Sequence, residues 1–309
     1  MSNVSQMAQL PASRPALGVW IKTARPFSLT AAISPLLVGT AIAANHAVFK
    51  PFIFLAALIA GLFLQIGVNY FNEYFDHRYG LDSVESLGAS TVIFRNQMTA
   101  NQVLSGGIGS FAIAAVLGII LIFAVGPSII LFGLAGMAVG YFYSAKPFTL
   151  AKRGLGDVFV AISMGFLMTW GAYYVQIQRW SWEVFAASIP VSFLVVAILN
   201  MNNLRDYDDD VAVHKKTIVV RFGRPFGKRF HTTLVAGSYA IVTLLAVTHV
   251  LPLASLLVWV TAYPAYTHLK TVLPVTDRKL LVRGMPQIAL LHLQFGIALA
   301  IGLLVGKVG

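Results

Sequence analysis

Long apolar stretches alternate with polar segments along the whole chain. Nine stretches can be drawn, and each is close to the length of about 20 mostly apolar residues that a helix needs to cross a bilayer. They are 28–46, 52–72, 100–124, 127–145, 156–178, 183–203, 231–250, 252–272 and 286–306. This pattern predicts an all-α protein, a polytopic bundle of about nine transmembrane helices. We expect a single domain over 1–309 that begins with a polar segment at 1–19.

The composition agrees with a membrane protein. Hydrophobic residues make up 58% of the chain, charged residues only 11%, and the mean hydropathy is +0.78. A soluble domain carries roughly a quarter charged residues. The chain has no cysteine, which excludes a disulfide framework, a zinc–thiolate site, an iron–sulfur cluster and a thiol nucleophile. The segment 1–14 lacks the features of a cleaved signal peptide, so the first span is expected to act as its own insertion signal.

Basic residues are distributed unevenly over the predicted topology. The longer polar segments at 73–99, 146–155, 204–230 and 273–285 alternate with very short connections, so all four fall on one side together with the N-terminus. Of the 22 lysines and arginines, 19 lie on that side and three on the other. The excess of positive charge places the long loops in the cytoplasm. The net charge of +11 therefore indicates topology in a lipid bilayer, and we expect no nucleic-acid partner.

Most of the acidic residues lie just after two of the predicted spans. Eight of the 11 belong to these two clusters, one after the second span and one after the sixth: Glu73, Asp76, Asp82 and Glu85; Asp206, Asp208, Asp209 and Asp210. Several carboxylates at the C-terminal end of a helix repel one another unless a cation neutralises them. Carboxylate oxygens suit Mg²⁺, which commonly binds one or two carboxylates together with water and substrate phosphates. The clusters therefore predict a site where magnesium ions hold a diphosphate.

The two clusters resemble the paired aspartate-rich motifs of the UbiA superfamily of intramembrane prenyltransferases. The segment 72–82 resembles the first motif, and 202–210 followed by 215–217 resembles the second. Within the superfamily the chain is most similar to 1,4-dihydroxy-2-naphthoate prenyltransferases of menaquinone biosynthesis, through 24–40, 72–86, 154–157 and 170–176. The resemblance extends from residue 20 to about residue 300.

The resemblance implies a helical bundle around a central cavity that is open to lipid, in a bacterial cytoplasmic membrane. It implies magnesium-dependent transfer of a polyprenyl group from polyprenyl diphosphate to 1,4-dihydroxy-2-naphthoate with decarboxylation, giving demethylmenaquinone. The implied metal ligands are Asn72, Asp76, Asp82, Asp206 and Asp210, among which Asp76, Asp206 and Asp210 are the catalytic carboxylates. The candidates for binding diphosphate or the aromatic acceptor are Arg25, Arg78, Tyr143, Lys146, Arg205, Lys215 and Lys216.

Some alternatives remain open at this point. Asp208 and Asp209 make the second motif denser than a metal site needs, so the motif alone does not decide which acids contact metal. Glu73 stands where many members of the superfamily have aspartate, which suits a role outside the direct metal ligands. The acceptor could be another ring, such as 4-hydroxybenzoate or homogentisate.

A secondary transporter that uses the acids as an ion path is a function of a different class. It predicts broken helices with charges near the middle of the membrane. In this chain the acids lie at the ends of spans and on one side only, which disfavours a transporter.

Overall fold

The computed structural model describes residues 15–81 and 91–306. Its helices, in chain order, are α1 (Leu17–Ala24), α2 (Thr30–Asn45), α3 (Pro51–Arg78), α4 (Ala100–Val125), α5 (Ile129–Phe142), α6 (Gly156–Val160), α7 (Met168–Ile177), α8 (Trp182–Arg205), α9 (Tyr207–Ala212), α10 (Ile218–Phe222), α11 (Arg224–Val247), α12 (Ala262–Val272), α13 (Arg278–Leu281) and α14 (Gly284–Val305). A π-helical segment joins α6 to α7, and 3₁₀ segments precede α2 and α12.

Seven helical segments in the described ranges are long and apolar enough to cross a membrane. They are Pro26–Asn45, Pro51–Arg78, Ala100–Val125, Gly156–Ile177, Trp182–Arg205, Arg224–Val247 and Arg278–Val305. The stretch predicted at 127–145 holds only the 14-residue α5, and the stretch at 252–272 is a 3₁₀ segment followed by the 11-residue α12. The all-α class and an integral membrane protein are therefore confirmed, whereas the count of about nine spans is not.

Local sequence explains where several of these helices begin. A proline occupies the first turn of α3 and of α11, where its missing N–H costs no hydrogen bond. At the start of α4, Thr99 Oγ1 accepts a hydrogen bond from the backbone N–H of Gln102, and Gln102 Oε1 accepts one from the backbone N–H of Thr99. This reciprocal pair satisfies two N–H groups that a helix start otherwise leaves open.

Helix α2 lies at the centre of the bundle and packs closely against its neighbours. A methyl group added at Gly39 would collide with the backbone carbonyl oxygen of Thr169 in α7, and one added at Gly296 in α14 would meet the Ser34 side chain of α2. Small residues at such contacts let helix backbones approach, which is how helices associate in a membrane without a hydrophobic driving force. The close packing fixes α2 between α7 and α14.

The best-packed part of the bundle combines α2, α8, α11 and α14. Its core includes fully buried side chains such as Val191, Leu194, Ile288 and Leu299. A cavity of about 740 Å³ with mostly apolar walls lies between α2, α3, α4, α5, the segment from α6 to α7 and one face of α8. The bundle therefore combines a tightly packed hydrophobic core with a cavity beside it.

Candidate active site

The ends of α3 and α8 bring both acidic motifs to one polar pocket. This pocket has a volume of about 120 Å³. Eight of the predicted site residues line it: Arg25, Asn72, Asp76, Tyr143, Arg205, Asp206, Asp210 and Lys215. Residues more than 100 positions apart in the chain, such as Asp76 and Asp206, thus meet at the same end of the bundle.

The second motif spans the end of α8 and the short helix α9 that follows it. Asp206 lies between α8 and α9, as the C-cap residue of α8 and the N-cap residue of α9. Asp210 follows one turn later in α9, where its backbone N–H donates to Asp206 O at 2.8 Å. The guanidinium of Arg205 donates hydrogen bonds to both carboxylate oxygens of Asp206, from Nε to Oδ1 at 2.7 Å and from Nη2 to Oδ2 at 2.5 Å. Because the Arg205 side chain is only 5% exposed, removing Asp206 would leave a buried positive charge without compensation from this carboxylate.

Asp210 keeps one oxygen available within the pocket. Its Oδ1 pairs with Lys215 Nζ at 3.1 Å, while its buried Oδ2 has no hydrogen-bond partner among the described residues. Burial raises the pKa of Asp210 to about 6 against the opposing effect of the Lys215 ammonium. Burial alone would lower the pKa of Lys215, but the carboxylates of Asp210 and Asp76 outweigh it and raise that pKa. The lysine therefore stays charged beside the acids.

The two additional acids of the second motif are held by arginines. Asp208 Oδ2 accepts a hydrogen bond from Arg224 Nη2 at 2.6 Å, and Asp209 Oδ2 accepts one from Arg278 Nη2. The Arg224 guanidinium also lies 4.6 Å from the ring centroid of Tyr207. These contacts tie α9 to α11 and α13, so Asp208 and Asp209 anchor the helix that carries Asp210. Neither arginine is found by motif spacing.

The first motif lies along one end of α3. Asp76 faces the polar pocket, and Asn72 Oδ1 accepts a hydrogen bond from Ser144 Oγ at 2.7 Å. Ser144 was not a predicted site residue, and nothing in its local sequence marks it. Asp82 lies outside the described residues.

Glu73 connects the first motif to the segment that follows it. Its buried carboxylate accepts hydrogen bonds from the backbone N–H groups of Thr91 at 3.1 Å and of Ile93 at 3.3 Å. Arg25 Nη2 lies 3.8 Å from Glu73 Oε2. A carboxylate that binds backbone amides and an arginine fits the expected role outside the direct metal ligands.

Three of the predicted substrate-binding side chains do not line the pocket. Arg78 is exposed and donates from Nη1 to Tyr74 Oη at 3.2 Å. Lys146 is exposed, with its Nζ 5.5 Å from the ring centroid of Tyr79. Lys216 is exposed as well. The cationic residues that line the pocket are Arg25, Lys152, Arg205 and Lys215, and Lys152 was not a predicted site residue.

The polar pocket and the apolar cavity share part of their walls. Arg25, Asn72, Tyr143, Asn202 and Arg205 line both. A molecule with a charged head at the acidic motifs can therefore extend its apolar part directly into the cavity.

The donor set fits a magnesium ion that is shared with a substrate. In 15–81 and 91–306, no three histidine, cysteine, aspartate or glutamate side chains come together as the ligands of a single ion. The pocket nevertheless contains carboxylates from two helices and the unpartnered Asp210 Oδ2. Mg²⁺ characteristically takes one or two carboxylates and completes its shell with water and phosphate oxygens, so the residues present suit that ion.

A helical membrane bundle with paired carboxylates above a large apolar cavity defines a class of intramembrane enzyme that acts on amphiphilic substrates. The chain belongs to the UbiA prenyltransferase family, whose family model matches residues 32–283.

Curated relatives share a substantial part of the sequence. The 1,4-dihydroxy-2-naphthoate octaprenyltransferase of Bacillus subtilis is 35% identical over 70% of this chain and 68% of its own length. The enzyme of the same name from Escherichia coli is 29% identical over 73% and 75% of the two chains. A 2-carboxy-1,4-naphthoquinone phytyltransferase from Synechocystis is 29% identical over 80% of each chain.

Solved structures share the fold at much lower sequence identity. A UbiA homolog from Archaeoglobus fulgidus bound to DMAPP and Mg²⁺ aligns with a TM-score of 0.63 and 15% identity, over 91% of this chain and 99% of the homolog. The apo structure of a UbiA homolog from Aeropyrum pernix aligns with a TM-score of 0.64 and 15% identity, over 89% and 97% of the chains.

Proposed function

We propose that this prenyltransferase moves a polyprenyl group from polyprenyl diphosphate to 1,4-dihydroxy-2-naphthoate. The acceptor loses its carboxylate as carbon dioxide, diphosphate is released, and the product is the hydroquinone that oxidises to demethylmenaquinone. The observation that carries the proposal is the convergence of two acidic helix ends on a pocket that opens into an apolar cavity. The names of the curated relatives support naphthoate as the acceptor.

The acidic motifs would bind the diphosphate end of the donor. Asn72, Asp76, Asp206 and Asp210 would hold magnesium, with Asp82 as a further ligand outside the described residues. Magnesium, when bound, stabilises the negative charge that grows on the departing diphosphate. Lys215 adds a fixed positive charge at the same place, because the acids around it keep it protonated.

The apolar cavity would hold the prenyl chain and exclude water from the reacting carbon. An allylic cation, or a carbon approaching that state, is quenched to an alcohol if water reaches it. The volume of about 740 Å³ and the apolar walls suit an isoprenoid chain. Tyr143 lies where the pocket and cavity meet, next to the expected position of the breaking carbon–oxygen bond.

The acceptor would enter at the same junction. The candidate cations for its carboxylate are Arg25, Lys146 and Arg153. Arg25 lines both the pocket and the cavity, whereas Lys146 is exposed and lines neither. Arg153 donates from Nη2 to the carbonyl of Pro147 at 2.9 Å. We therefore assign the carboxylate to Arg25.

We also propose that the polar pocket opens to the cytoplasm. The uneven distribution of 19 against three of the 22 basic residues supports this orientation. A cytoplasmic pocket would receive both the charged diphosphate and the water-soluble acceptor from the same compartment.

A direct test uses the purified protein in lipid nanodiscs with radiolabelled polyprenyl diphosphate and one acceptor at a time. We expect a lipid-soluble product with 1,4-dihydroxy-2-naphthoate, and little with 4-hydroxybenzoate or homogentisate. A product with one of the other rings and none with the naphthoate would overturn the assignment of the acceptor.

A further inference from the structure

A polar strip on α3 runs from the acidic pocket into the mostly apolar cavity. Asn72, Asn69 and Gln65 occupy successive turns of one helix face, because they are three and four residues apart. All three line the cavity, together with Arg25 and Ser28 from the segment that precedes α2. A prenyl chain in the cavity offers no hydrogen-bond partner for buried amides, so binding of that chain does not explain the polar strip.

The side-chain amide N–H₂ of Asn69 fixes the N-terminal segment against α3. Its Nδ2 donates to the carbonyl of Ala24 at 2.8 Å and to Ser28 Oγ at 2.7 Å. Ser28 Oγ in turn donates to the carbonyl of Arg25 at 2.8 Å. These contacts hold the backbone that carries Arg25 beside the strip, which accounts for Asn69 structurally.

Gln65 is not accounted for in the same way. Its side chain is buried, with 5% of the residue exposed, and its only described hydrogen bond is a long one of 3.4 Å from Nε2 to Ser28 Oγ. Its Oε1 atom has no partner among the described residues. Burying an amide oxygen without a donor is unfavourable, and a donor supplied by a ligand in the cavity would remove that cost.

We propose that Gln65 binds a hydroxyl group of the aromatic acceptor and so selects hydroxylated aromatic acids as substrates. This inference rests on the proposed function, in which Arg25 binds the carboxylate of the same ring. A hydroxyl next to a carboxylate on a ring donates an intramolecular hydrogen bond to that carboxylate. Gln65 Oε1 would therefore accept a hydrogen bond from the hydroxyl that is remote from the carboxylate. In 1,4-dihydroxy-2-naphthoate that is the 4-hydroxyl.

The test replaces Gln65 with leucine, which keeps a similar size and removes the acceptor oxygen. Gln176→Leu is the matched control, because Gln176 is also buried but binds the backbone of Lys50, with Lys50 N donating to Oε1 at 2.7 Å. For Gln65→Leu we expect the KM for the naphthoate to rise about tenfold, the effect of one hydrogen bond. The KM for polyprenyl diphosphate should not change in either variant.

A second measurement compares inhibition by 1-hydroxy-2-naphthoate, which lacks the remote hydroxyl, with the apparent affinity for the dihydroxy acid. The wild-type protein should prefer the dihydroxy acid about tenfold, and Gln65→Leu should lose this preference. If Gln65→Leu does not fold, Gln65→Met provides the same comparison.

Equal changes in the two KM values, or a preference that survives the substitution, would overturn the assignment of Gln65 while leaving the proposed function intact. Failure of the wild-type protein to prenylate the naphthoate would overturn both.

Discussion

The carboxylate of Glu73 offers a sharp test of how the active site is held together. Glu73→Gln preserves the shape of the side chain but replaces one acceptor oxygen by an amide that donates. The structure gives that carboxylate two backbone donors, Thr91 N and Ile93 N, at 3.1 and 3.3 Å. One of them must lose its acceptor in the variant, and the Glu73 charge beside Arg25 is lost as well.

The size of the effect follows from the contact that is lost. A hydrogen bond to a charged group contributes about 1.5–3 kcal/mol, and about 1.4 kcal/mol corresponds to a factor of ten in an equilibrium constant. Local opening of the segment 91–98 should therefore become roughly 10- to 150-fold more frequent. The start of α4 should change less, because the Thr99–Gln102 pair holds it independently.

Hydrogen exchange measured by mass spectrometry on the protein in nanodiscs reports this opening. We expect faster exchange in peptides that cover 91–98 in Glu73→Gln and no change there in Glu183→Gln. Glu183 is a matched control because its carboxylate, paired with His46 Nε2 at 3.0 Å, belongs to the start of α8, away from the acidic pocket. Unchanged exchange in 91–98, or equally faster exchange throughout the protein, would refute the reasoning.

Three further predictions concern the pocket and the packing. Asp76→Asn should lower turnover at least about 100-fold. Asp208→Asn alters a 59% exposed carboxylate that anchors α9, and this variant should retain most of the turnover. Equal losses in steady-state assays would contradict the separate roles of Asp76 and Asp208. Lys215→Met should raise the KM for polyprenyl diphosphate more than that for the acceptor, and a reversed order would place Lys215 at the wrong substrate. Gly165→Ala should destabilise the bundle by about 1–3 kcal/mol, because the added methyl meets Ser192 Oγ; an unchanged thermal unfolding midpoint would show that the contact relaxes freely.

The fold could be predicted from the sequence where an apolar stretch is long enough to have a spanning helix as its main structural option. Seven segments were recovered because about 20 apolar residues in a row have little alternative to a spanning helix. The stretches 127–145 and 252–272 behave differently. The first contains a helix of 14 residues, and the second starts with a 3₁₀ segment. Hydropathy shows that a segment is apolar but does not show where its helix ends or whether it is wound as an α-helix or a 3₁₀ helix. The short length of α5 and the 3₁₀ segment before α12 therefore could not be predicted.

The site was predictable to a similar degree. Asp76 and Asp206 could be placed together because each follows a span that ends on the same side, and the structure brings both to one pocket. The partners that position them were not predictable. Arg278 is 69 residues from Asp209, and Ser144 is 72 residues from Asn72. Such pairs depend on which loop folds over which helix end, and no spacing in the sequence encodes that.

We propose that prenyl transfer by this protein depends on magnesium and is coupled to loss of the acceptor carboxylate. The most direct measurement incubates the wild-type protein in nanodiscs with polyprenyl diphosphate and carboxyl-labelled 1,4-dihydroxy-2-naphthoate, with magnesium or with a chelator. We expect equal amounts of prenylated product, released carbon dioxide and diphosphate, and no product with the chelator. A prenylated product that keeps its label, or turnover that survives removal of divalent metal, would contradict the proposal.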